Sequence, residues 1–326
     1  MHSVTSPIVP KSGDTFIGEY GAILDGSGWT TSDGTQAAFR AHNENIDYVT
    51  IRNLVIRNMP QRGIHAYYWM SDHWTIEYNE IAANRNTGIV FPAYALIRNN
   101  YIHHNAYAGY LASHADNTTF DSNEIAYNGR EQKVGVSANV TFRNNFVHHN
   151  VGAGIWYDTD NTGGLIEGNR VEDNGWLGIN YEVSSDGIIR NNTIRRNLAG
   201  VNLSVSKNVQ IYNNTLEYNF RGIAYFLRCE SLGGPTNYDL TNNTAHDNVI
   251  TVGTESGALA NYFSYLSSCT STQVAPYLNG SKNLTFSRNT YRVPSTNGRY
   301  WIWGMEFKSW PDWQALGQDL NGTISP

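Results

Sequence analysis

Residues 142–174 read FRNNFVHHNVGAGIWYDTDNTGGLIEGNRVEDN, in which the phrase FRNNFVHHN returns as IEGNRVEDN, its first paired Asn moving from Asn145 to Asn169. The same phrase occurs as IEYNEIAAN, IRNNYIHHN, FDSNEIAYN, IRNNTIRRN, IYNNTLEYN and LTNNTAHDN. Its first Asn falls at 79, 100, 123, 145, 169, 192, 214 and 243, in steps of 21, 23, 22, 24, 23, 22 and 29. A second Asn follows five residues after each, from Asn84 to Asn248.

Within each repeat, apolar residues alternate over short runs set between Gly and Asn, the period of strands rather than helices. A repeat this short cannot bury its apolar face alone, so neighbouring copies must stack. Three short strands per repeat give a single-stranded parallel β-helix, all-β, of about ten coils with roughly 22 residues each. Asn suits its bends, because it tolerates left-handed backbone and its amide can hydrogen-bond along a stack. A leucine-rich repeat of similar length would need a Leu framework that is absent.

The repeats resemble those of right-handed parallel β-helix proteins, the architecture of pectate lyases, polygalacturonases, alginate-active lyases and epimerases, and phage tailspikes. The resemblance covers roughly residues 14–290. The opening PKSGDTFIGEYGAILDG (10–26) and the close WQALGQDLNG (313–322) are also similar to those of secreted bacterial β-helix proteins. The resemblance implies a fold and a tendency towards polysaccharides, and fold alone does not set an activity. The pectate lyase Arg-x-Pro-x-x-Arg, the polygalacturonase Asn-Thr-Asp-Gly and the alginate epimerase Asp-Pro-His are all missing.

One domain over 1–326 is expected, with 11–26 as first coil or cap, 226–282 as an insertion breaking the period, and the aromatic 299–326 closing the C-terminal end. Charged residues make up 15% of the chain and the net charge is −6, without the basic field a nucleic-acid partner requires. No apolar run approaches the roughly 18–20 residues of a membrane span. MHSVTSPIVPKSGD (1–14) lacks a secretory leader pattern, yet the composition, with 21 Tyr, points to a secreted carbohydrate-handling protein. Cys229 and Cys269 form either an extracellular disulfide or two free thiols. Oligomeric state is not legible.

In each repeat a Gly-apolar pair opens a strand, and alternation then sends every second side chain outward. The outward pairs are His65 and Tyr67, Val90 and Pro92, Leu111 and Ser113, Gly135 and Ser137, Trp156 and Asp158, Asn180 and Glu182, Asn202 and Ser204, Ala224 and Phe226. Stacking at about 4.8 Å makes Asp158 and Glu182 neighbours on one exposed sheet. Like charges opposite each other destabilise a sheet, so a carboxylate repeated in successive coils calls for a proton or a cation between them. Asp158, Glu182 and Asp160 are therefore the candidate catalytic residues. Trp156, Asn180, His65, Tyr67 and Asn202 are candidate sugar contacts, with His65 also a candidate base. No cofactor is required, and calcium is a candidate ligand of Asp158, Asp160 and Glu182.

The expected function is cleavage of an extracellular polysaccharide, by a glycoside hydrolase using the stacked pair or by a calcium-assisted lyase drawing its cation from Lys133, Arg130, Arg221 or Arg228. A non-catalytic glycan-binding or adhesion module, or a purely structural solenoid, is the alternative. The tripeptides at His103-His104 and His148-His149 are read as structural. Their row continues through Glu172, Arg195 and Glu217 as a ladder of surface ion pairs, each worth little.

Overall fold

A computed structural model describes residues 1–30, 34, 36–41, 45–66, 70–233 and 238–326. Its contacts divide the chain into two compact units, Met1–Ala153 and Gly154–Pro326. Each is a parallel β-solenoid, and the chain makes about nine turns of about 24 residues, close to the expected ten coils. Among the described residues no helix is long and apolar enough to cross a membrane.

A turn of the first unit is built from three short strands, for example Leu96–Arg98, Tyr101–His103 and Ala108–Ser113. Each lies parallel to its equivalents in adjacent turns, Ile97 against Ile76 and Phe120, Ile102 against Ile81 and Ile125. The inward rows are fully buried, and Phe120 and Phe142 stack with centroids 4.6 Å apart. The second unit repeats the pattern with Ile166, Ile189 and Ile211 in one row and Val171, Ile194 and Leu216 in the next.

The five-residue spacing of paired Asn residues is the length of one short strand with its bend. Asn100 is followed by the strand Tyr101–His103, a left-handed residue, His104 at φ 53°, and then Asn105. Every turn of this kind has a left-handed residue immediately before each inward Asn, as at Tyr78, Asn99, Ser122 and Asn144. A bend breaks the inter-strand ladder, and buried backbone groups left there must find other partners. The Asn amides supply them. Oδ1 of Asn100 accepts from the Asn79 backbone N–H at 3.0 Å and from Asn79 Nδ2 at 3.1 Å, while Asn100 Nδ2 donates to the Ile76 carbonyl at 2.8 Å. Asn123 and Asn145 continue the column, and Asn84, Asn105, Asn128 and Asn150 form a second one.

In the second unit the structure shifts one repeat. The column runs Asn169, Asn192, Asn214, Asn248 and Asn289, so Asn248, not Asn243, occupies the ladder position. Pairing of Ile211 with Ala245 sets this register. Asn243 instead accepts from the Val209 N–H at 2.9 Å and donates to the Ser206 carbonyl. A phrase with Asn at both ends of a five-residue interval fits two registers equally, and only the strand pairing selects one. Asp319 ends the column: its Oδ1 accepts from Asn289 Nδ2, and its Oδ2 from Tyr291 and Trp313.

The period break at 226–282 contains a complete solenoid turn, Asn243–His246, Val249–Thr251 and Leu259–Tyr265, with added segments before and after it. The disulfide Cys229–Cys269, with Cα atoms 5.4 Å apart, ties those two segments together. In the aromatic C-terminal stretch, Trp301 and Trp303 of the strand Trp301–Trp303 and Trp313 of the helix Trp310–Ala315 are buried. At the other end, Thr15–Ile17 and Ile23–Asp25 pair with Thr50–Arg52 and Val55–Arg57 as a first coil.

Asn192→Ala removes the acceptor of Asn169 and the donor to the Ile166 carbonyl, so urea unfolding should show a loss of about 2–5 kcal/mol, summed over groups worth roughly 1–3 kcal/mol each. Reducing the disulfide, whose cysteines are 40 positions apart, should lower stability by about 4 kcal/mol in the chain-entropy account. Thermal melts with and without reductant, against Cys229→Ser/Cys269→Ser as control, measure it.

Candidate functional site

The four strands Ile155–Asp158, Leu177–Glu182, Ala199–Ser204 and Arg221–Leu227 lie side by side in the second unit. Their pairing aligns Trp156, Asn180, Asn202 and Ala224 in one outward row and Asp158, Glu182, Ser204 and Phe226 in the next. The alternate residues Tyr157, Tyr181, Leu203 and Tyr225 point into the core and are fully buried. Tyr157 and Tyr181 stack at 5.1 Å. Gly164 and Gly187 make room for these rings, since a Cβ at either would meet a Tyr carbon at 2.7 Å or closer. The inferred stacking of Asp158 on Glu182 is therefore what the structure shows.

The strip is not the exposed surface that alternation alone suggests. Glu182 is only 9% exposed, and Asn180 and Ser204 are buried; Trp156, Asp158 and Asn202 are half-buried. Trp156 packs edge-on against Trp176. Further along the sheet, Ala224, Leu259 and Tyr262 cluster with Ile302. Outward is a direction, and neighbouring large side chains decide whether it is also wet.

Both oxygens of Glu182 are occupied. Oε2 accepts from Asn180 Nδ2 at 3.1 Å, and Asn180 Oδ1 in turn accepts from Asn202 Nδ2 at 2.7 Å. Oε1 accepts from Arg228 Nη1 at 2.7 Å. Burial and the neighbouring Asp158 charge push the Glu182 carboxyl above its ordinary range, against the opposing pull of Asn180 and Arg228. Asp158 accepts from the Thr159 hydroxyl at 3.0 Å. A buried carboxyl shifted upward thus lies beside a second acidic residue and is paired with Arg228.

Arg228 was one of four basic residues proposed from sequence without a placement. It sits one residue past its strand, directly before the disulfide-bonded Cys229. Arg221 instead lies over the Tyr262 ring, 5.5 Å from its centroid. Trp176 and Thr159 carried no sequence signal.

Asp160 is not part of the stacked pair. Asn161 aligns with Ser184 and Asp158 with Glu182, so one extra residue separates them, and Thr159 and Asp160 are both left-handed, at φ 63° and 55°. This is a one-residue bulge. It carries Asp160 to the rim of a separate depression. His65 belongs to the first unit, buried on the strand Arg62–Ala66, and Tyr67 lies outside the described residues. Among the described residues no three His, Cys, Asp or Glu side chains converge as metal ligands. The charge ladder differs from simple surface pairing: Glu172 is buried and gathers Arg170, Arg195 and Arg196. Burial opposes its ionisation, and the bonds from Arg170 and Arg195 outweigh that and hold it below the usual range. His103 and His148 pair with Glu80 and Glu124.

The family described as "Right handed beta helix region" matches residues 37–163, 93–245 and 160–301. The chain belongs to this family. No curated protein sequence matches it. Among solved structures it is similar to the A-module of the Azotobacter vinelandii mannuronan C-5 epimerase AlgE6, with a TM-score of 0.67 at 18% identity over 97% of this chain and 83% of that one. The AlgE4 A-module of the same organism gives 0.56 at 18% identity, covering 98% and 86%. The tailspike of E. coli bacteriophage HK620, solved in complex with a pentasaccharide, gives 0.52 at 10% identity, covering 87% and 58%. At these identities the likeness concerns the fold.

Arg228→Gln should move the Glu182 carboxyl titration upward, since the guanidinium favours the charged form. Carboxyl-carbon NMR of the wild type and this variant reads it directly.

Proposed function

We propose that this chain is a carbohydrate-active enzyme that cleaves a polysaccharide, with Glu182 as the proton donor and Asp158 as the partnering carboxylate. The observation that carries the reading is the in-register pair in which Glu182, buried and flanked by Asp158 and Arg228, has its carboxyl pushed above the ordinary range by burial and by the Asp158 charge. A general acid must hold its proton at working pH, and its neighbour must be charged to stabilise or attack an electron-poor anomeric carbon. Neighbouring positions at strand spacing suit the roughly 5–5.5 Å carboxyl separation of retaining glycosidases. Glu182 would protonate the glycosidic oxygen as the bond to the anomeric carbon breaks. Asp158 would take the sugar as an ester, and water would then hydrolyse it as Glu182 removes a proton. Trp156 and Asn202, half-buried at the edge of the strip, would contact the sugar rings. The similar β-helix structures of two mannuronan C-5 epimerase modules and of a tailspike in complex with a pentasaccharide support the class of substrate.

Arg228 favours a second reading. A cation beside a carboxyl is also what chemistry at C5 of a uronate requires: the cation neutralises the sugar carboxylate, and a base removes the C5 proton. Elimination or epimerisation would then replace hydrolysis, with calcium bound at Asp158 or Asp160 as a further candidate.

A panel of neutral and uronate-rich polysaccharides, with calcium or with chelator, separates these readings. New reducing ends without ultraviolet absorbance mark a hydrolase. Absorbance from unsaturated uronate marks a lyase, and a changed NMR spectrum without cleavage marks an epimerase. Glu182→Gln should lower turnover by about 10²–10⁴-fold, with the alkaline limb of the wild-type pH profile lying above the ordinary Glu value of about 4.3. Turnover unchanged in both Glu182→Gln and Asp158→Asn would overturn the assignment.

A further inference from the structure

Immediately after the strand that ends at Glu182 the chain turns through Val183 and, one coil on, after the strand Ala199–Ser204, through Val205, with φ of 47° and 49°. Left-handed backbone is unfavourable for a β-branched side chain. Most other left-handed bends of the second unit use Asn, Asp, Arg, Tyr or Gly. Val205 is buried, so packing accounts for its side chain, whereas Val183 is only half-buried, with its N–H donating to the Ser204 carbonyl at 2.8 Å.

These two valines line a depression of about 220 Å³. The Thr159–Asp160 bulge places Asp160 at one side, and Tyr238 and Asp239 stand at another, with Lys207 also in the lining. Asp160 Oδ1 is buried and accepts no hydrogen bond among the described residues. Asp239 is held by the Tyr277 hydroxyl and the Lys282 ammonium, each at 2.5 Å. The volume lies below the roughly 300–1,000 Å³ of pockets for drug-sized ligands and suits a single ring. An apolar patch edged by carboxylates and an ammonium matches a pyranose, which has C–H groups on a face and hydroxyls around its rim.

We propose that this depression is a sugar subsite, holding one pyranose of a glycan chain with its C–H face on the half-buried Val183 and its hydroxyls donating to Asp160 and Asp239. The subsite rests on the reading above that the ligand is a polysaccharide, and it does not depend on which carboxylate performs the chemistry. It also gives Asp160 a role in binding rather than in tuning the stacked pair.

The test uses full-length protein with labelled valine methyls, titrated with cellohexaose, xylohexaose, a galacturonate hexamer and a mannuronate hexamer. At least one probe should shift the Val183 and Val205 methyl resonances saturably. Val183→Asn, which suits left-handed backbone, should leave the melting temperature equal or higher while weakening that probe about tenfold, equivalent to about 1.4 kcal/mol. Asp160→Ala, a change at a bulge, should weaken it similarly. Methyls silent to all four probes, or affinity unchanged in both variants, would overturn the subsite. Saturable shifts in a protein whose turnover survives Glu182→Gln would keep the subsite and remove the catalytic assignment. Loss of turnover in Glu182→Gln with silent methyls would do the reverse.

Discussion

At each bend of the solenoid, backbone N–H and C=O groups leave the inter-strand ladder while still buried. A side-chain amide has the same donor and acceptor as the peptide it replaces, and an inward Asn restores both bonds with groups from neighbouring turns. The ladder thus closes the bend and locks successive turns into one register. A column of this kind must end somewhere, and its last member needs acceptors without further donors. Asp319 meets that need, receiving Asn289 on one oxygen and Tyr291 and Trp313 on the other. Burial nevertheless pushes its carboxyl upward, with those hydrogen bonds opposing the shift. Asn in its place would turn an N–H group towards two donors.

Fixed register gives the candidate site its geometry. Residues at equivalent places in adjacent turns are held at strand spacing whatever their charge, so Asp158 and Glu182 cannot separate to relieve repulsion. The relief comes from proton affinity and from Arg228, which reaches back from a strand two turns away. The disulfide holds the segment that begins at the next residue, Cys229. Beside this rigid sheet, the bulge at Thr159–Asp160 shows where the chain departs from its own regularity. Departures from an otherwise repeated pattern are the places where a scaffold carries something besides itself.

How much the chain reveals unaided differs from fold to site. Periodic Asn and alternating apolar residues state the solenoid, because each repeat has to satisfy the same bend and the same core row. Alternation also puts Asp158 over Glu182 correctly, since a strand leaves only two faces. The register of the repeat holding Asn243 and Asn248 was ambiguous, as both residues fit the phrase and only pairing with Ile211 separates them.

The linear order of residues by itself determined the stacked turns, the buried rows and the adjacency of two carboxylates, all consequences of periods set locally. Tertiary structure alone decided that the strip is half-buried rather than open, that Arg228 and not Arg221 meets Glu182, that the two cysteines bond, and that Asp160 serves a different surface from Asp158. The physical reason is range. Spacing along the chain fixes contacts made by every turn in the same way, whereas a side chain reaching across turns, or a bulge of one residue, depends on distances that no local period encodes.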